Sequence, residues 1–223
     1  MIHYINKRKK NIVLGIVSLS TVFFLYSIAP AFSIETDNVL HLLLQKIKKS
    51  SSRVQALSCN FSQTRHLAIF TKPVLFSGIL TLSKPDKLRW EVTEPIPSVI
   101  LLNDTKGMRC SANTKPFSFD LASGPKMRMI YKQFFQWLSG SYDSLHEFYD
   151  VKQISDYGIA LKPLDENFSD IIKSIEIEFE PVSLQPLRVI IRESQDDYTD
   201  IVFSNYNLSP NLKESLFIEC NNM

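Results

Sequence analysis

The sequence predicts one α+β domain built on a largely antiparallel sheet. Apolar/polar alternation marks the central hairpin and at least two later segments of its 223 residues, which is the period of a strand with one covered face. Turn clusters separate these runs at short intervals, as in antiparallel meanders. Beyond residue 31, helical spacing is confined to one stretch near the N-terminus and one in mid-chain, a pattern of helices gathered on a sheet.

Residues 1–31 read as a secretory signal peptide. Lys7, Arg8, Lys9 and Lys10 form a basic start, Ile12 to Ile28 is apolar without a charge, and Ala29-Pro30-Ala31 offers an A-x-A cleavage site, the order expected of such a signal. The alternative is a retained anchor, since the run approaches spanning length. Cleavage would leave residues 32–223 as one domain, starting near Phe32 or Ile34. The segment carries four basic residues and no acidic one, so its loss moves the formal charge from +2 to −2. The basicity belongs to the signal, and the domain lacks the basic, aromatic-studded patches of a nucleic-acid binder.

Three cysteines remain, Cys59, Cys110 and Cys220. In an exported protein the odd count leaves a free thiol or an intermolecular bond. Cys59 and Cys110 flank the central hairpin and can pair; buried, unpaired cysteines are the other reading.

Asp37 to Lys49 has helical spacing, with Val39, Leu42, Leu43 and Ile47 on one stripe and Asp37 placed as N-cap. The serines 50–52 close it. A strand follows from Val54 to His66, then a turn at Thr71-Lys72-Pro73. Phe76 to Pro95 reads as a hairpin turned at Pro85-Asp86. Leu80 and Leu82, then Leu88, Trp90 and Val92, share one face, while Lys87, Arg89 and Glu91 give a charged one. Ser98 to Asn103 is continuously apolar and is expected to be buried on both faces. Asn103 to Gly107 turns the chain into a short strand, Met108 to Ala112. Ala112 to Lys126 reads as a loop.

Met127 to Leu138 predicts a helix, stopped at Ser139-Gly140-Ser141. Its apolar arc is wider than one stripe, so it must be covered on more than one side. Strands are expected at Tyr149–Ile154, Gly158–Pro163, Ile171–Phe179, Leu187–Glu193, Thr199–Asn207 and Ser215–Glu219. In the third, Ile175, Ile177 and Phe179 alternate with Glu176, Glu178 and Glu180; in the fourth, Leu187, Val189 and Ile191 share a face.

What covers the hairpin's apolar face does not follow from alternation; the ordinary answer is the protein's own core. The ordered set F-x-Q at Phe61–Gln63, G-x-L-x-L at Gly78–Leu82, Lys84-Pro85, Trp90 and T-x-P at Thr93–Pro95 resembles the LolA family of periplasmic lipoprotein carriers. The resemblance implies an unclosed, strongly curved antiparallel β-barrel whose mouth is covered by a helical lid. It implies that acyl chains of lipoproteins or other lipids lie between sheet and lid, against Phe61, Leu80, Leu82, Leu88, Trp90 and Val92 and against Met127, Ile130, Phe134, Trp137 and Leu138. It further implies a latch at Lys84, where the family pattern has an arginine; lysine keeps the charge without the planar fork. The implied partners are an ATP-driven (ABC-type) inner-membrane transporter and an outer-membrane receptor of similar fold, with the carrier itself a monomer. The run Phe134–Tyr142 resembles the LolA-like proteins that carry other lipids for dedicated exporters at least as well as it resembles LolA itself. A structural or adaptor protein with a filled core is the contrasting reading.

No catalytic pattern appears: there is no G-x-S-x-G, H-E-x-x-H or glycine-rich phosphate loop. His41, His66 and His146 stand far apart. The sequence therefore predicts a non-enzyme without metal or cofactor.

Overall fold

The computed structural model describes residues 32–112, 114–121, 131–132, 135–140, 142 and 145–220, with side chains from Asn38 on except at position 167. Eleven strands form one antiparallel sheet: β1 Ala56–His66, β2 Val74–Ser83, β3 Lys87–Glu94, β4 Ser98–Asn103, β5 Lys106–Ser111, β6 Phe117–Asp120, β7 Tyr149–Ser155, β8 Gly158–Pro163, β9 Ser174–Phe179, β10 Pro186–Arg192 and β11 Tyr198–Asn207. Their spatial order is β6-β5-β4-β3-β2-β1-β11-β10-β9-β8-β7. The chain walks outward from β1 to one edge, re-enters at the opposite edge, and walks back until β11 pairs with β1. Among the described residues β6 and β7 do not pair, so the barrel is unclosed. The connection from β6 to β7 must pass from edge to edge, and it carries the mid-chain helical residues 131–132 and 135–139.

The hairpin forms as its alternation requires. Leu80 lies opposite Trp90 and Leu82 opposite Leu88, and these side chains join the main core. Gly78 lies opposite Phe61. A Cβ there would fall 1.8 Å from the Glu91 carbonyl oxygen and 2.8 Å from the Phe61 ring, so no larger residue fits without moving backbone. β4 is covered on both faces: Leu102 belongs to the main core, whereas Val99 and Leu101 join Cys110 in a second cluster on the outer face.

Several expectations are corrected. Helix α1 (Phe32–Ser51) begins before Asp37, which is therefore not its N-cap. Its buried stripe is Leu40, Leu43, Leu44 and Ile47, with Val39 and Leu42 exposed. The i, i+3, i+4, i+7 set that buries the most leucine wins, and the face rotates by about one residue. The predicted loop after Ala112 contains β6, and β9 begins at Ser174, not Ile171. Two short helices, α2 (Leu145–Phe148) and α3 (Glu166–Ser169), precede β7 and β9. Asp165 caps α3 by accepting from the Phe168 N–H at 3.0 Å. Leu187 turns outward because the β9–β10 register shifts between Pro186 and Arg188.

The C-terminal segment corrects the most. It forms a 3-10 helix, Glu214–Phe217, instead of a strand, and lies over the outer face of the hairpin. Arg89, on the hairpin's charged face, is 4% exposed. It pairs with Glu91 at 2.8 Å and donates to the carbonyls of Leu216 at 3.1 Å and Glu219 at 3.2 Å. Cys110 bonds to Cys220, not to Cys59. Cys59 belongs to the main core and Cys110 to the outer cluster, so the sheet separates the two thiols.

Candidate functional site

The concave face of the sheet and its helical cover form the candidate site. α1 delivers its apolar stripe to this face, and its last turn meets two other elements. α1 ends on Ser50 and Ser51, Ser52 follows it, and each of the three hydroxyls is used. Ser52 bonds back to the Lys49 carbonyl at 3.0 Å. Ser50 reaches the Ser183 carbonyl, between β9 and β10, at 2.7 Å. Ser51 donates to the Ile47 carbonyl at 2.7 Å and across to the Gly140 carbonyl at 3.0 Å. Gly140 has a φ of 73°, a conformation that favours glycine. A Cβ on it would fall 2.2 Å from that of Ser51, so the two chain segments touch because one residue has no side chain.

Lys84 completes the junction. Its Nζ donates to the Ser51 carbonyl at 2.8 Å. That carbonyl is among the last of α1, which have no partner inside the helix, and a cation at this end also suits the helix dipole. Burial pulls the Lys84 ammonium below the usual lysine range. Ser51 thus gathers the end of β2, the end of α1 and the end of the mid-chain helical stretch.

Beneath the junction the predicted cavity residues come together. Phe61, Leu80, Leu82, Leu88, Trp137 and Leu138 are buried in one cluster, with Trp90 and Val92 half-buried against it. Phe61 stacks on Trp90 with centroids 4.1 Å apart, and Trp90 meets Phe203 edge-on at 6.3 Å. Met127, Ile130 and Phe134 lie outside the described residues. Burial pushes the Cys59 thiol up to about 12, against a smaller lowering by its hydrogen bond with Tyr206; it raises the phenols of Tyr142, Tyr149 and Tyr206 as well.

The two flanks of the mid-chain stretch differ. Towards β7–β9, Trp137 packs on Tyr149 at 6.1 Å and Tyr142 on Phe179 at 5.6 Å, and the Tyr142 hydroxyl donates to the Trp137 carbonyl at 2.8 Å. Towards β4–β6 the packing opens. A cavity of about 680 Å³ lies among Leu102, Leu121, Tyr131 and Phe135, rimmed by Asp86, Asp104 and Lys132. A second, of about 330 Å³, shares Leu121 and Tyr131 and adds Phe117, Phe119 and Arg109. Sequence reasoning placed Tyr131 and Phe135 on a wide apolar helix but not among the site residues. It missed Phe117, Phe119 and Leu121 by reading their strand as loop; the alternation F-x-F-x-L was the available signal.

Among the described residues, no group of three or more His, Cys, Asp or Glu is placed to hold a metal ion. No described helix is long and apolar enough to cross a membrane.

Among solved structures, the chain is similar to a LolA superfamily protein from Nitrosomonas europaea, at 11% identity over 78% of this chain and 96% of that one, with a TM-score of 0.41. A putative outer membrane lipoprotein-sorting protein domain from Vibrio parahaemolyticus gives 8% identity over 79% and 94%, TM-score 0.42. The Mycobacterium tuberculosis lipoprotein LppX gives 8% over 79% and 100%, TM-score 0.46. No curated protein matches by sequence. The family model described as outer membrane lipoprotein carrier protein LolA matches residues 52–219, well over half of the sequence. The chain belongs to the LolA family.

Proposed function

We propose that the protein is a periplasmic carrier that shields acyl chains of lipoproteins between its sheet and helical cover and moves them from the inner to the outer membrane. The observation that carries this reading is the junction at Ser51. Its hydrogen bonds, those of Ser51 and Lys84 among them, tie the segments of the cover together at the rim of an apolar face, which suits a cover that opens. Each buried methylene contributes about 0.8 kcal/mol, so an acyl chain is held firmly once the cover admits it. Loading by an ATP-driven inner-membrane transporter and release to an outer-membrane receptor of similar fold supply the two ends of the route. Residues 1–31 act as the export signal. A LolA-like carrier of another lipid is the second reading, favoured by the cavities on the β4–β6 flank.

In this mechanism Lys84 is the latch. A hydrogen bond from a charged donor contributes about 1.5–3 kcal/mol, so removing it shifts the cover towards open by roughly tenfold or more. Lys84→Leu is expected to take up an acylated lipoprotein at least as well as the parent but to deliver it poorly, because closure no longer helps expel the cargo. Lys84→Arg is expected to deliver at least as well. Transfer from loaded carrier to acceptor membranes measures this, and equal delivery by parent and Lys84→Leu removes the latch from the mechanism.

A further inference from the structure

The β6 edge carries a feature that closure of the concave face does not require. Edge strands are commonly blunted with charge or proline, yet β6 presents Phe117, which is 65% exposed. Phe117 stacks on Phe119 with centroids 6.2 Å apart, and Phe119 on Tyr131 at 5.9 Å, so an aromatic track runs from the sheet edge to the helical cover. Gly107, opposite Phe119, makes the track possible: a Cβ there would fall 2.1 Å from the Phe119 ring. The track lines the 330 Å³ cavity, and the 680 Å³ cavity adjoins it through Leu121 and Tyr131. Both sizes lie within the ~300–1,000 Å³ of small-molecule sites.

Charge is distributed unevenly along this path. Arg109 lies opposite Phe117 in the β5–β6 register and lines the outer cavity. Its charge reaches the Tyr131 phenol, where it partly offsets the rise imposed by burial. The outer cavity's acid, Asp120, lies opposite Lys106, whereas the inner cavity has Asp86 and Asp104 on its rim with Lys132. Arg109 therefore offers a cation at the outer end, and the rings of Phe119 and Tyr131 with Leu121 offer an apolar path further in.

We propose that the β6 edge is a lateral port for an acyl lipid whose head is a phosphate, the chain lying along Phe117, Phe119 and Tyr131 and the head on Arg109. The guanidinium fork matches phosphate oxygens in a two-point contact that a neutral head cannot make. This inference rests on the acyl-carrier reading and names the cargo class for one part of the site.

Titration calorimetry of the full chain with dodecyl phosphate and with dodecanol tests it, since the probes differ only in the head. The phosphate is expected to bind roughly fivefold more tightly, the upper range for a partly solvated ion pair. Arg109→Gln is expected to abolish that preference and leave dodecanol unchanged. Phe117→Ser, an exposed change, should slow association of both probes with the melting temperature unmoved. Equal binding of the two probes, or an equal loss of both in Arg109→Gln, overturns the port while leaving the carrier reading in place. Binding of neither probe overturns both.

Discussion

The two flanks of the mid-chain helical stretch are made of similar residues and packed to different ends. On the β7–β9 side, Trp137, Tyr142, Tyr149, Phe168 and Phe179 meet edge to face at 5.6–6.1 Å, and all five are buried. On the β4–β6 side, Phe117, Phe119 and Tyr131 stack in a row that borders open volume. Edge-to-face clusters fill space in three directions; a stacked row fills it in one. The difference teaches that a single apolar helical stretch is packed tightly on one flank and borders open volume on the other.

The largest expected effect falls on the anchored flank. Trp137→Ala removes a fully buried ring from a cluster that cannot collapse around the gap, and should cost about 3–5 kcal/mol. Urea titration followed by far-UV circular dichroism measures the loss. A cost below about 1 kcal/mol would mean that this flank is no anchor and that the comparison is wrong.

The scaffold of the receiving flank depends on the outer face of the sheet. Cys110 and Cys220 enclose a separation of 110 residues and hold the C-terminal segment over Val99 and Leu101. Closing a long loop stabilises typically by 2–4 kcal/mol. Reduction with dithiothreitol should lower stability by that amount in the same titration. It should also weaken binding of an acyl probe, because β4 and β5 lose their backing, while near-UV signals from Trp137 stay as they were. Equal disturbance of both flanks on reduction would show that the tail supports the whole sheet instead.

Much of this architecture was legible in the residues, and apart from β6, whose local alternation was overlooked, most of the parts that were not share a cause. Ile175, Ile177 and Phe179 fell inward as their alternation with glutamate requires, since one slip would bury three carboxylates. The family-like frame was readable because its members meet: Phe61 lies opposite Gly78 and against Trp90. Errors arose where a partner distant in sequence decides the outcome. Arg89 reads only as part of a charged face until the tail supplies two carbonyls, and Cys110 prefers Cys220 because Cys59 lies on the other face. Leu187 keeps perfect alternation and is still exposed, because a register shift is a property of two strands. The junction at Ser51 was read only as a helix stop; nothing local distinguishes a serine that ends a helix from one that also holds a second segment.

Phe135 gives the smallest expected effect on stability and separates anchor from receiver most cleanly. It lies two residues before Trp137, is half-buried against the core, and borders the 680 Å³ cavity. Its ring already faces open volume, so truncation forfeits fewer contacts and leaves no new sealed void. Phe135→Ala should cost about 1–2 kcal/mol, the transfer share of a partly buried ring. Yet the ring walls the space offered to a chain, so affinity for dodecanol should fall by roughly four- to fifteenfold, equivalent to losing contact with one or two methylenes. Trp137→Ala, assayed at a temperature where it remains folded, should keep its dodecanol affinity within about threefold of the parent. The two substitutions thus cross: Trp137→Ala costs more stability and less binding, Phe135→Ala less stability and more binding. If both move stability and affinity together, the stretch has one function along its length and the flanks are not distinct.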